Sequence, residues 1–71
     1  MFKSNLEALE YIIDYQKKFN ISPNDAHICF LIYLRPKKEF INFLYKLSSR
    51  NAVKLGIEIF DVKLRKNEKR N

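Results

Sequence analysis

Glycine is almost missing from this chain: Gly56 is the single one among 71 residues. A phosphate-cradling loop brings several glycines close together, so a nucleotide-binding loop of that kind is excluded. Cysteine and histidine are equally scarce, with one Cys29 and one His27. One cysteine rules out an intrachain disulfide, and one of each rules against a four-ligand zinc site. Long hydrophobic runs are missing too. The longest, Ile28 to Leu34, has seven residues, against the ~20 that cross a membrane. Glu7, Glu10 and Asp14 interrupt the first twenty residues, unlike the apolar centre of a secretory leader. A lone thiol suits a reducing compartment. The chain therefore reads as cytoplasmic, with no membrane partner, no metal and no cofactor.

What the chain does hold is apolar and basic. It is 46% hydrophobic, with six Phe and four Tyr, too rich in core-formers for a disordered segment. It is long enough for a single domain, residues 1–71. A domain of ~60 residues buries only about 60% of its unfolded surface. Without a disulfide or a metal, a second subunit is the remaining support, so a homodimer is expected. The net charge of +6 is unevenly spread. Residues 1–35 hold four basic and four acidic side chains, whereas residues 36–71 hold ten basic and four acidic. Such asymmetry points to a polyanionic partner for the second half, set against a basic face that merely solubilises.

Ser4-Asn5-Leu6-Glu7 has the form of a capping box. Leu6, Leu9, Ile13 and Phe19 then follow at helical spacing, and Asn20 suits a left-handed stop. A helix is predicted over 4–19. Ser22-Pro23-Asn24-Asp25 fits either a second helix start or a reverse turn. The run from Ala26 to Leu34 is continuous apolar sequence rich in Ile, Phe and Tyr, with Pro36 beyond it. That composition leans towards a short strand over 26–34, and the cap signal leans towards a helix. Phe40, Phe43, Leu44 and Leu47 mark an amphipathic helix over 36–48. A further helix over 50–66 carries an apolar arc wider than one core-facing stripe. Its Ile57, Phe60 and Leu64 are the expected dimer interface. Residues 67–71 read as a frayed basic tail. The fold class expected is mostly α, with one short strand; the alternative is an all-α three- or four-helix bundle with a helix-turn-helix-like pair.

No catalytic constellation emerges. His27 and Cys29, two apart on a strand, would share a face at ~7 Å, too far for a hydrogen bond. Glu10 and Asp14 could share acid–base work, but the neighbouring Lys17 and Lys18 make a solvated helix face the simpler account. Tyr33 and Tyr45 could stack on unpaired bases; core positions are the simpler account of them as well. The chain is read as a binding protein and not an enzyme.

From Ile28 onward the order is apolar segment, Pro-initiated helix, Ser-rich turn, second helix. Leu34-Arg35-Pro36-Lys37-Lys38-Glu39-Phe40 and Ser48-Ser49-Arg50-Asn51-Ala52-Val53-Lys54-Leu55 carry a resemblance to the ribbon-helix-helix DNA-binding repressors, over about residues 28–66. The resemblance implies a dimer whose paired strands enter the major groove. Tyr33 and Arg35 would then face the bases, and Ser49, Arg50 and Lys54 would hold phosphates at a helix N-terminus. Lys37 and Lys63 complete the expected contact set. The leading expectation is a regulatory protein on duplex DNA. The alternative is an inhibitor or adaptor, of phage or mobile-element type, that blocks one larger host enzyme.

Overall fold

The computed structural model describes residues 2–68, with side chains through Arg65. Among the described residues four α-helices form: α1 Asn5–Phe19, α2 Pro23–Leu34, α3 Phe40–Leu44 and α4 Arg50–Glu68, with a 3-10 turn at Lys37–Glu39 leading into α3. There is no strand among the described residues. The all-α alternative therefore holds, and the strand expected over 26–34 is α2.

Helix α1 begins as its sequence dictates. Ser4 is extended, and its Oγ accepts a hydrogen bond from the Glu7 backbone N–H at 3.2 Å. The Glu7 carboxylate reaches back one residue further than a capping box requires, to the Lys3 N–H at 3.2 Å. Asn20 closes the helix at φ 55°, ψ 45°, where its short polar side chain tolerates the left-handed region. The inward face of α1 differs from the expected stripe. Ala8 and Ile12 are buried, whereas Leu6 and Ile13 are exposed. The Leu6–Leu9–Ile13 row lies about 100° round the helix; Leu9 is half-buried and, with Ile13, lines a groove against Pro23, Ala26 and Phe30 of α2.

Helix α2 starts on the cap signal. Ser22 Oγ accepts from the Asp25 N–H at 3.1 Å, and Pro23 takes the first turn, where no N–H is needed. Strand propensity loses here because α2 is the central helix. Ala26, Ile28, Cys29, Ile32 and Tyr33 are all buried, so apolar residues surround the helix and its periodicity vanishes.

Helices α2 and α4 run parallel, in register at Asp25–Ser48, Cys29–Ala52 and Ile32–Gly56. Small residues permit the approach: Ala52 is fully buried, and Cys29 Sγ donates to its carbonyl at 3.6 Å. Helix α1 lies antiparallel to both, with Tyr11 beside Glu58 and Asn51 Nδ2 donating to the Phe19 carbonyl. The 3-10 turn and α3 carry the chain back from the end of α2 to the start of α4.

The helix expected over 36–48 is regular only for Phe40–Leu44; tight turns close it at Lys46 and Leu47. Its apolar stripe still packs as expected: Leu47 is buried, and Phe40, Phe43 and Leu44 pack against the core. Phe40 stacks on Phe60 with centroids 3.9 Å apart. Helix α4 runs two residues past its expected end, so the tail expected at 67–71 begins as helix; residues 69–71 lie outside the described residues.

Candidate nucleic-acid interface

Parallel packing of α2 and α4 sets the local electrostatics. Two helix N-termini lie together at one end of the bundle, and two C-termini lie towards the other. Like ends of helix dipoles repel, and each end here holds a compensating charge. At the N-terminal end, the Asp25 carboxylate is only 2% exposed and accepts from Ser48 Oγ at 2.7 Å and from the Ser48 N–H at 3.3 Å. Ser49 caps α4, its Oγ accepting from the Ala52 N–H at 3.0 Å. Towards the other end, Lys63 Nζ donates to the Tyr33 carbonyl, in the last turn of α2, at 2.7 Å.

The residues expected to contact nucleic acid therefore divide into two groups. Tyr33, Arg35, Lys37 and Lys63 belong to the C-terminal end of α2; Ser49, Arg50 and Lys54 belong to the first turns of α4. Residues 50 and 63 are about 20 Å apart along α4 at 1.5 Å per residue. Within the first group, Tyr33 is buried and Lys63 is committed to the Tyr33 carbonyl. Arg35 and Lys37 are exposed. In the second, Ser49 is half-buried as a cap, while Arg50 and Lys54 are exposed. The ribbon strand implied by the ribbon-helix-helix resemblance would fall on residues that here form α2, so Tyr33 and Arg35 share no ribbon face.

The stretch from Arg35 to Lys54 joins the two groups along α3. It holds Arg35, Lys37, Lys38, Lys46, Arg50 and Lys54, all exposed, and one acid, the half-buried Glu39. Among the described residues the ion pair formed is Asp61–Arg65, at 2.9 Å, and it lies outside this stretch. Lys46 sits 5.5 Å over the Phe43 ring. Lys38 and Lys46 lie outside the expected contact set, although they belong to the half that carries the excess charge.

Between the cationic groups α3 presents uncovered apolar surface. Tyr45 is 85% exposed and Ile41 is 53% exposed. Tyr45 thus departs from the core position expected of it. The intended dimer residues behave unevenly. Phe60 is taken up by its stack on Phe40, Leu64 is half-buried, and Ile57 is 51% exposed. The wide apolar arc of α4 is covered largely from within the chain, because α1, α2 and α3 all pack on it.

The opposite side of α4 has different chemistry. A groove of about 230 Å³ between α1 and the second half of α4 is lined by Phe2, Tyr11, Glu58, Asp61, Val62 and Arg65. Burial, and next the Glu58 carboxylate, raise the Tyr11 phenol above its ordinary value. Glu58 and Asp61 make this side unsuited to a polyanion.

Nucleophilic chemistry finds no support in the geometry. On a helix, His27 and Cys29 point to different sides. Cys29 is fully buried, and that burial, with the nearby Asp25 charge, pushes its thiol up to about 12. His27 is exposed. Glu10 and Asp14 stand exposed on the outer side of α1. No helix among the described residues is long and apolar enough to cross a membrane. No protein-family model, curated protein or solved structure matches the chain.

Proposed function

We propose that this is a non-catalytic nucleic-acid-binding protein that works through the face from Arg35 to Lys54. One observation carries the reading: six exposed cations accompany a single acid over twenty residues, without ion pairing among the described residues. A purely solubilising surface mixes both signs, as the outer side of α1 does with Glu10, Asp14, Lys17 and Lys18. A single-sign track attracts a polyanion and releases its condensed counterions.

The test is fluorescence anisotropy of labelled oligonucleotides with the full chain across a salt series. Six phosphate contacts predict an affinity loss of about a thousandfold between about 50 and 200 mM salt. Lys54→Glu and Arg50→Glu should each flatten the salt slope by about one contact or more. Absence of binding at the lowest salt sinks the proposal.

A second reading is favoured by Ile41 and Ile57, each more than half exposed. Here the same face docks on an acidic surface of another protein, as an inhibitor or adaptor, or on a second copy. It predicts a stoichiometric complex that Ile41→Asp abolishes without altering the helical circular dichroism of the free chain.

A further inference from the structure

We infer that the cationic face takes single-stranded nucleic acid, with Tyr45 as its stacking platform; the inference rests on the nucleic-acid reading above. Tyr45 caps the end of α3 and is 85% exposed. The other three tyrosines, by contrast, all join ring contacts: Tyr11 and Tyr33 meet Phe2, and Tyr15 meets Tyr11 and Phe19. Tyr45 has no ring partner among the described residues. Ile41, four residues earlier and therefore on the same side of the helix, extends the apolar surface.

Exposed cations flank this surface on both sides along the chain. Lys37 and Lys38 precede the Ile41–Tyr45 surface, and Lys46 and Arg50 follow it. A single strand places phosphates on such flanks and turns a base onto the ring between them. Every base has a π-face, so a lone aromatic among cations serves any sequence.

Duplex DNA fits this face poorly. Major-groove reading needs a helix whose outer side meets base edges over several residues. Helix α3 has five residues, about 7.5 Å of axis. Helix α4 is long enough, but beyond Lys54 its exposed described residues are Ile57, Glu58, Asp61 and Arg65. Arg65 is paired with Asp61 at 2.9 Å, so these residues offer phosphates no unpaired cation and leave the Glu58 carboxylate facing them.

The experiment compares a labelled oligothymidylate with a hairpin duplex of equal nucleotide count, using the full chain at fixed salt. The expected result is at least about tenfold tighter binding of the single strand. Tyr45→Ala should weaken that binding between about fivefold and a hundredfold, and Tyr45→Phe should retain it. The salt slope should be the same in both variants, because the phosphate contacts remain; a change of fold would move it. Equal or tighter duplex binding overturns the single-strand inference and leaves the nucleic-acid reading standing, as does a silent Tyr45→Ala. Binding to neither probe overturns both.

Discussion

The Asp25 carboxylate and the Ser48 hydroxyl meet at 2.7 Å between the N-terminal ends of α2 and α4. The Ser48 N–H adds a second donor to the same carboxylate at 3.3 Å. A buried charge is tolerated only when it is hydrogen-bonded, and here the partner comes from a connection 23 residues away in sequence. The contact ties the α3–α4 connection to the start of the central helix.

Unequal losses should follow when either partner is removed. Asp25→Ala deletes a charge that answers two helix N-termini and should cost about 2–3 kcal/mol. Ser48→Ala removes the shorter bond but keeps the N–H contact, and should cost about 1–2 kcal/mol. Urea unfolding of both variants and their double variant would measure the coupling. A loss below about 0.5 kcal/mol for Asp25→Ala would show that the contact is incidental.

Gly56 poses a contest between backbone and packing. Alanine in a helix is favoured over glycine by about 1 kcal/mol. A Cβ at this position would meet Leu47 Cδ1 at 3.1 Å and Ile32 Cδ1 at 3.3 Å. Both are ends of flexible side chains, so a shift of a few tenths of an ångström relieves them. Gly56→Ala should therefore be neutral to within about 1 kcal/mol. Gly56→Val has no such relief and should destabilise by about 2–3 kcal/mol through overpacking. Thermal unfolding of the pair checks the ranking; a strongly destabilised alanine variant would mean that α2 and α4 cannot yield at all.

Lys63 should behave as a structural residue and not as a contact to nucleic acid. Its ammonium holds the Tyr33 carbonyl at 2.7 Å, where the C-terminal dipole of α2 is negative. Lys63→Met keeps the aliphatic stem and removes the charge, so stability should fall by about 1–2 kcal/mol. The oligonucleotide salt slope should stay unchanged, in contrast to Lys54→Glu. A flatter slope with unchanged stability would return Lys63 to the interface.

The two ends of α1 were legible in the sequence because capping is local, whereas the ends of the helix expected over 36–48 were not, since only Phe40–Leu44 is regular. Ser4 and Asn20 do at the backbone what their type and position imply, Ser49 caps α4, and Ser22, which fitted a helix start or a turn in the sequence, is the cap of α2. The identity of 26–34 was not legible by periodicity, since a helix covered by neighbours on several sides loses its polar stripe. The inward face of α1 was missed for a related reason. Ala8 and Ile12 face the core while Leu6 and Ile13 remain exposed; two adjacent isoleucines differ only in which side of α1 they occupy, and that is set by how α1 lies on α2 and α4. The charge asymmetry was plain in the sequence. The separation of Tyr33, Arg35, Lys37 and Lys63 from Ser49, Arg50 and Lys54 was not, because it depends on α2 and α4 running parallel. That relation is set by contacts such as Asp25–Ser48 between residues far apart in the chain.

Cys29 gives a pH dependence with a definite sign. Burial, then the nearby Asp25 charge, raises its thiol from an ordinary value near 9 to about 12. The folded state therefore holds the proton more tightly than the unfolded chain. Below pH 9 both states are protonated and the contribution is constant. Between about pH 9 and 12 the unfolded chain loses the proton first, so this residue alone lowers stability by about 1.4 kcal/mol per pH unit. Urea midpoints measured at about pH 7, 9 and 10.5 should fall more steeply for the native chain than for Cys29→Ala, which removes the titrating group. At neutral pH the same burial should make alkylation of Cys29 track global unfolding, so that a thiol reagent modifies it only as urea is added. Rapid labelling of the folded chain, or parallel alkaline profiles for the two proteins, would show that the thiol is not held between α2 and α4 as described.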